Sequence, residues 1–165
     1  MITFKRKIYQ KSYLPFLFIL FLFKLLGVTN SQYELIDALF GGSYSNLSID
    51  DPDFGYLKLM FIEQFLLLFG IIFLFVRQNF SLLIIHIFPL FTIITSTYIG
   101  FHKSDYAFIL DHMIYSSILL MMSNTELIFK RFHVKKNSQQ HYFLINVALL
   151  ISFTIFFASM YFDVF

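Results

Sequence analysis

The chain has 165 residues, of which 58% are hydrophobic and 13% charged, with a net charge of +2, no cysteine and a mean hydropathy of +0.73. Soluble domains carry about 25% charged residues, so this composition excludes a soluble globular domain and reads as a single all-α membrane domain over residues 1–165, a bundle of five transmembrane helices. The missing cysteines exclude disulfides, thiolate metal sites and lipidation on Cys within the chain. The small net charge gives no case for a nucleic-acid partner; the partners expected are the lipid bilayer and other proteins within the membrane.

A spanning helix needs about 20 mostly apolar residues. Five segments qualify: 13–29, 56–76, 80–101, 106–129 and 142–162. The first follows a basic stretch (Lys5, Arg6, Lys7, Lys11) and so also resembles a signal sequence, with Gly27 and Thr29 at small positions. Phe21, Phe23 and Lys24 close to that point, and the lack of an A-x-A site, favour a retained helix.

The long connection, 30–55, is acidic. Within it, residues 33–40 predict a short interfacial helix, with Leu35, Ile36, Leu39 and Phe40 toward lipid and Glu34 and Asp37 toward water. Gly41-Gly42-Ser43 would end it, and Asp50-Asp51-Pro52-Asp53 reads as a turn. Asn46-Leu47-Ser48 matches the glycosylation acceptor pattern, which matters only in a eukaryotic secretory membrane. The links 77–79 and 102–105 are short enough to force consecutive antiparallel neighbours, so the second, third and fourth spans should pack together.

Five crossings place Lys5, Arg6, Lys7, Lys11, Arg77, Lys130, Arg131, Lys135 and Lys136 on one side. The other side receives Glu34, Asp37, Asp50, Asp51, Asp53, Asp105 and Asp163, with only Lys24, Lys58 and Lys103 near that boundary. The positive-inside rule then predicts an N-terminus on the cytoplasmic (or matrix) side and a C-terminus opposite, in a bacterial inner membrane or an organellar membrane.

Ionisable groups inside spans are costly unless paired or hydrated, which makes each a candidate for function. Lys24, Glu63, His102, Asp111 and His112 come to similar depth near the outer face from four different spans. The mundane alternatives are snorkelling for Lys24 and Lys58, a loop position for His102, and for Glu63 an interhelical pair with Lys24 or a hydrogen bond to a hydroxyl. His86 lies near the inner end of the third span beside Pro89, whose ring withholds a hydrogen bond from the Ile85 carbonyl. Thr92, Thr95 and Ser96 share one face of that span, where they can satisfy the broken backbone or pack against a neighbour, with packing the favoured reading. His112 with Ser116, and Asp111 with Tyr115, lie one turn apart and could carry a polar network inward. A membrane haem would need two histidines at equal depth; His102 and His112 are the candidates, and their position near the surface argues against haem.

The order of features resembles the DoxX/MauE-type small membrane proteins over about residues 13–129. The likeness rests on Phe23-Lys24-Leu25-Leu26 closing the first span and the amphipathic piece 33–40. It continues with Glu63-Gln64-Phe65-Leu66-Leu67-Leu68-Phe69-Gly70, similar to that family's Glu-Leu-Leu-Gly-like opening, and Gly100-Phe101-His102. Members usually have four spans, so 142–162 is additional, and the glycine is displaced to Gly70. The resemblance implies an accessory subunit of a redox system, in some members linked to quinone or thiol oxidation; without cysteine, direct thiol chemistry is out.

Two functions follow as expectations. One is a non-catalytic accessory or structural subunit of a larger membrane complex, of respiratory or redox type, whose polar residues join helices. The other is a redox-associated protein whose outer cluster binds a quinone head group or relays protons through Glu63, Asp111 and His112, with Lys24 favouring charged Glu63. No complete catalytic constellation is present, and no pair of broken helices supports a transporter.

Overall fold

The computed structural model describes residues 2–40, 52–103 and 106–161. These form six helices and, among the described residues, no strand: α1 (Ile2–Phe40), α2 (Pro52–Phe75), α3 (Asn79–Lys103), α4 (Tyr106–Ser123), α5 (Glu126–Arg131) and α6 (Gln139–Tyr161). Four of them, α1, α2, α3 and α6, are long and apolar enough to cross a membrane; α4 adds a shorter apolar stretch, His112–Ser123. A helix satisfies most of its interior backbone groups within itself, which a bilayer requires; Pro15 in α1 and Pro89 in α3 interrupt that ladder.

The first helix departs from expectation. Residues 33–40 are not a separate interfacial piece but the continuation of α1, which runs unbroken for 39 residues. At about 1.5 Å per residue that is roughly 58 Å, nearly twice the ~30 Å hydrocarbon core. The polar residues after Val28 look like a loop in sequence. Yet no Gly or Pro falls between Val28 and Phe40 to stop the helix, and Thr29 folds its hydroxyl back onto the Leu25 carbonyl at 2.8 Å. Ile36 is half-buried and Asp37 exposed; the side chains of Glu34, Leu35, Leu39 and Phe40 lie outside the described residues. So do residues 41–51, with the glycine turn, the Asn46-Leu47-Ser48 pattern and Asp50-Asp51. Pro52 opens α2 rather than turning the chain, in keeping with proline at a first helical position.

The expected fourth span, 106–129, is divided. α4 stops at Ser123, and Phe129 belongs to α5. The hydroxyls of Ser123 and Thr125 donate to the carbonyls of Leu120 and Met122 at 3.0 Å each, the local competition with helix that Ser, Asn and Thr bring. α5 then turns back beneath the bundle with Ile128 and Phe129 buried. Its exit is a Schellman turn: the Val134 N–H reaches the Phe129 carbonyl at 3.0 Å and the His133 N–H reaches Lys130 at 3.3 Å. His133 occupies the left-handed position usually given to glycine, at φ 58°. Ser138 caps α6, its Oγ accepting the His141 N–H at 3.2 Å.

α3 is the hub, packed against α2, α4 and α6, while α1 lies along α2 and touches α4. Buried residues make up 61% of Asn79–Ile99, against 17% of the apolar windows of α1 and α6, so α3 is the central helix. The short links do place α2 and α4 beside α3. They flank it from two sides and do not form an extensive interface with each other. Lipid tails are as apolar as Leu, so helix association here depends on close packing and interhelical hydrogen bonds. Gly70 shows the first: a Cβ there would lie 2.8 Å from the Phe21 ring. Ser152 shows the second, donating from α6 to the Ile87 carbonyl of α3 at 3.1 Å.

Candidate functional site

Three of the five outer-face candidates come together. Glu63 projects from α2 into the space between α1, α3 and α4 and is 6% exposed. Its Oε1 lies 3.5 Å from Lys24 Nζ of α1 and 3.8 Å from His112 Nδ1 of α4. The Thr92 hydroxyl of α3 donates to the same oxygen at 3.1 Å. Four helices thus converge on one carboxylate.

Lys24 does not snorkel. It is 9% exposed, and its ammonium donates to His112 Nδ1 at 2.8 Å while lying 5.8 Å from the centre of the Tyr115 ring, within cation–π range. Snorkelling would place the ammonium in water, but it is buried against a carboxylate, an imidazole and an aromatic face. Because lysine can only donate, His112 Nδ1 must accept, which puts the imidazole proton on Nε2. The 3.8 Å approach of Nδ1 to Glu63 is then a contact across the shared ammonium and not a hydrogen bond in its own right. Tyr115, one turn from Asp111, donates its hydroxyl to the Leu20 carbonyl and so ties α4 to α1.

The side chains of Asp111 and His102 lie outside the described residues. No inward extension through Ser116 is formed among the described residues, where its buried Oγ has no hydrogen-bond partner. On α3, Thr95 bonds the Phe91 and Thr92 carbonyls at 3.1 Å each. Thr95 and Ser96, with Glu63 and His112, also line a cavity of about 20 Å³. A void of ~10–15 Å³ holds one water molecule, so this one admits a water and no larger ligand. Among the described residues no three His, Asp or Glu side chains gather as a metal site.

A second histidine pair, at the other end of the bundle, was only half visible in the sequence. His86 Nδ1 donates to the Leu82 carbonyl at 2.7 Å, and His141 Nδ1 accepts the Asn137 N–H at 3.0 Å. Both leave a buried Nε2 with no partner among the described residues, and both rings pack near Phe129, at 6.5 and 4.3 Å between centroids. His141 carried no signal, because a histidine at a helix start reads as surface. Thr92 was missed as a ligand of Glu63 for a related reason: hydroxyls on a crowded face are usually spent on their own helix.

No family model, curated protein or solved structure matches this chain. Its function has to be argued from the cluster itself.

Proposed function

We propose that the protein is a non-catalytic accessory or structural subunit of a larger membrane complex, in which the Lys24–Glu63–His112 cluster fastens helices. The observation behind this reading is the convergence of α1, α2, α3 and α4 on one carboxylate oxygen. The adjoining space of about 20 Å³ is far below the ~300 Å³ at which small-molecule pockets begin, which argues against a quinone head group beside Glu63. Large side chains face outward on every side, Phe65 and Ile72 on α2 and Phe143, Leu150 and Phe157 on α6 among them, and suit lipid or partner helices. The likeness to DoxX/MauE proteins would make the complex a respiratory or redox one.

We further infer five crossings, α4 included, with the N-terminus on the cytoplasmic or matrix side. The sorting of Lys and Arg supports this, as does the antiparallel packing of α4 on α3.

The alternative is proton exchange at the same cluster in a redox-associated protein. It is favoured by one observation: the single-water cavity touches both Glu63 and His112. Copurification of the tagged protein from native membranes decides between the two. Stoichiometric membrane partners and no bound cofactor are expected; a protein that elutes alone with a bound quinone and turns over would contradict the subunit reading.

A further inference from the structure

At the basic end of the bundle, opposite the Glu63 cluster, a cavity of about 280 Å³ opens between α1, at the start of its apolar window, and α5. Tyr13, Leu14, Leu127 and Ile128 form its apolar walls, and Lys130 and Arg131 its polar side.

The depth of this cavity is fixed by its walls. Tyr13 is the first residue of the apolar window of α1, and Lys130 and Arg131 follow the apolar stretch that ends at Ser123. The opening therefore stands where hydrocarbon meets head groups, a level at which tyrosine is favoured. The Tyr13 hydroxyl is turned away to the Met122 carbonyl at 2.9 Å, so that ring serves as a wall.

The charge there is concentrated. Arg131 is anchored by its Nε, which donates to the Leu74 carbonyl at 3.1 Å, so the guanidinium presents its terminal nitrogens from a fixed base. Burial first, and then the nearby Arg77 guanidinium, lower its pKa below the ordinary arginine value; it stays protonated. Lys135 and Lys136 lie a few residues on, and between 124 and 141 the only acidic residue is Glu126, which sits 2.8 Å from Lys130.

A guanidinium matches the paired oxygens of a phosphate, and a wall of Leu14, Leu127 and Ile128 matches hydrocarbon. We propose that this cavity binds an anionic phospholipid, with the phosphate against Arg131 and Lys130 and an acyl chain following Leu14 into the bilayer. The site lies at one boundary of the bundle, where α1, α5 and the end of α4 meet, and a lipid lodged there would hold α5 beneath the helices.

The test uses the full-length protein in nanodiscs of phosphatidylcholine with a minor share of phosphatidylglycerol, with retained lipid counted by native mass spectrometry. Phosphatidylglycerol should be retained in preference, and Arg131→Gln should lower its retention about fivefold, the effect of one basic residue at an anionic surface. Lys130→Gln, at an exposed side chain that does not threaten folding, should lower it in the same direction. Lys135→Gln should leave it unchanged. Equal retention of both lipids would overturn the proposal. So would an equal loss in Lys135→Gln, which would mean diffuse attraction, or displacement by inorganic phosphate, which would mean a soluble anion.

Discussion

Lys24 and Glu63 face each other across the α1–α2 interface with Nζ 3.5 Å from Oε1, and more than nine-tenths of each residue is shielded. Neither can be removed alone without leaving its partner charged in an apolar setting. Lys24→Met should therefore cost about 3 kcal/mol, the usual penalty for orphaning a buried charge. Lys24→Met combined with Glu63→Leu should cost less than the sum of the two single changes, since the second removes the charge that the first strands. Thermal unfolding in detergent measures all three. Additive effects below about 0.5 kcal/mol would show a solvated pair instead.

Gly27 of α1 and Gly70 of α2 should behave oppositely. Gly70 faces the Phe21 ring, which is fully buried and packed on Phe88 with 5.9 Å between centroids, so the ring has no room to yield. Gly70→Ala should destabilise the bundle by about 1–3 kcal/mol through overpacking. A Cβ at Gly27 meets nothing within 4 Å, and Gly27→Ala should be neutral or stabilising by up to ~1 kcal/mol from helix propensity. The same unfolding experiment reads both; a harmless Gly70→Ala would refute the close approach of α1 and α2.

The topology can be tested without preparing a background, because the chain has no cysteine. Lys136→Cys and Ser48→Cys should react with an impermeant thiol reagent from opposite sides of the membrane. Labelling from the same side would show that α4 does not cross.

What was legible in the sequence follows the physics of the bilayer. Apolar runs give the spanning helices because hydrocarbon tolerates little else. They do not give helix ends, since a helix can leave the membrane without stopping, as α1 does past Thr29, or stop inside an apolar run, as α4 does at Ser123. The stop at Ser123-Asn124-Thr125 had a readable cause in Ser123 and Thr125, whose hydroxyls compete for backbone carbonyls. Depth was legible as well: Lys24, Glu63 and His112 could be set at one level by counting turns. Which faces meet was not, because the spanning segments are apolar nearly all round and only the hydroxyl face of α3 (Thr92, Thr95, Ser96) marks an inward side. Hence the sequence leaves Lys24 open to snorkelling as well as to pairing with Glu63, and Thr92 to packing, whereas the fold brings both to Glu63.

Glu63→Gln keeps the shape of the side chain and removes its charge, and its effect on the native complex tests the central claim most directly. Native electrophoresis of gently extracted membranes, alongside turnover of the complex per assembled copy, separates joining helices from exchanging protons. The expected result is loss of the assembled complex, with unchanged turnover in whatever fraction still assembles. Full assembly with turnover lost would contradict it and assign proton chemistry to the cluster.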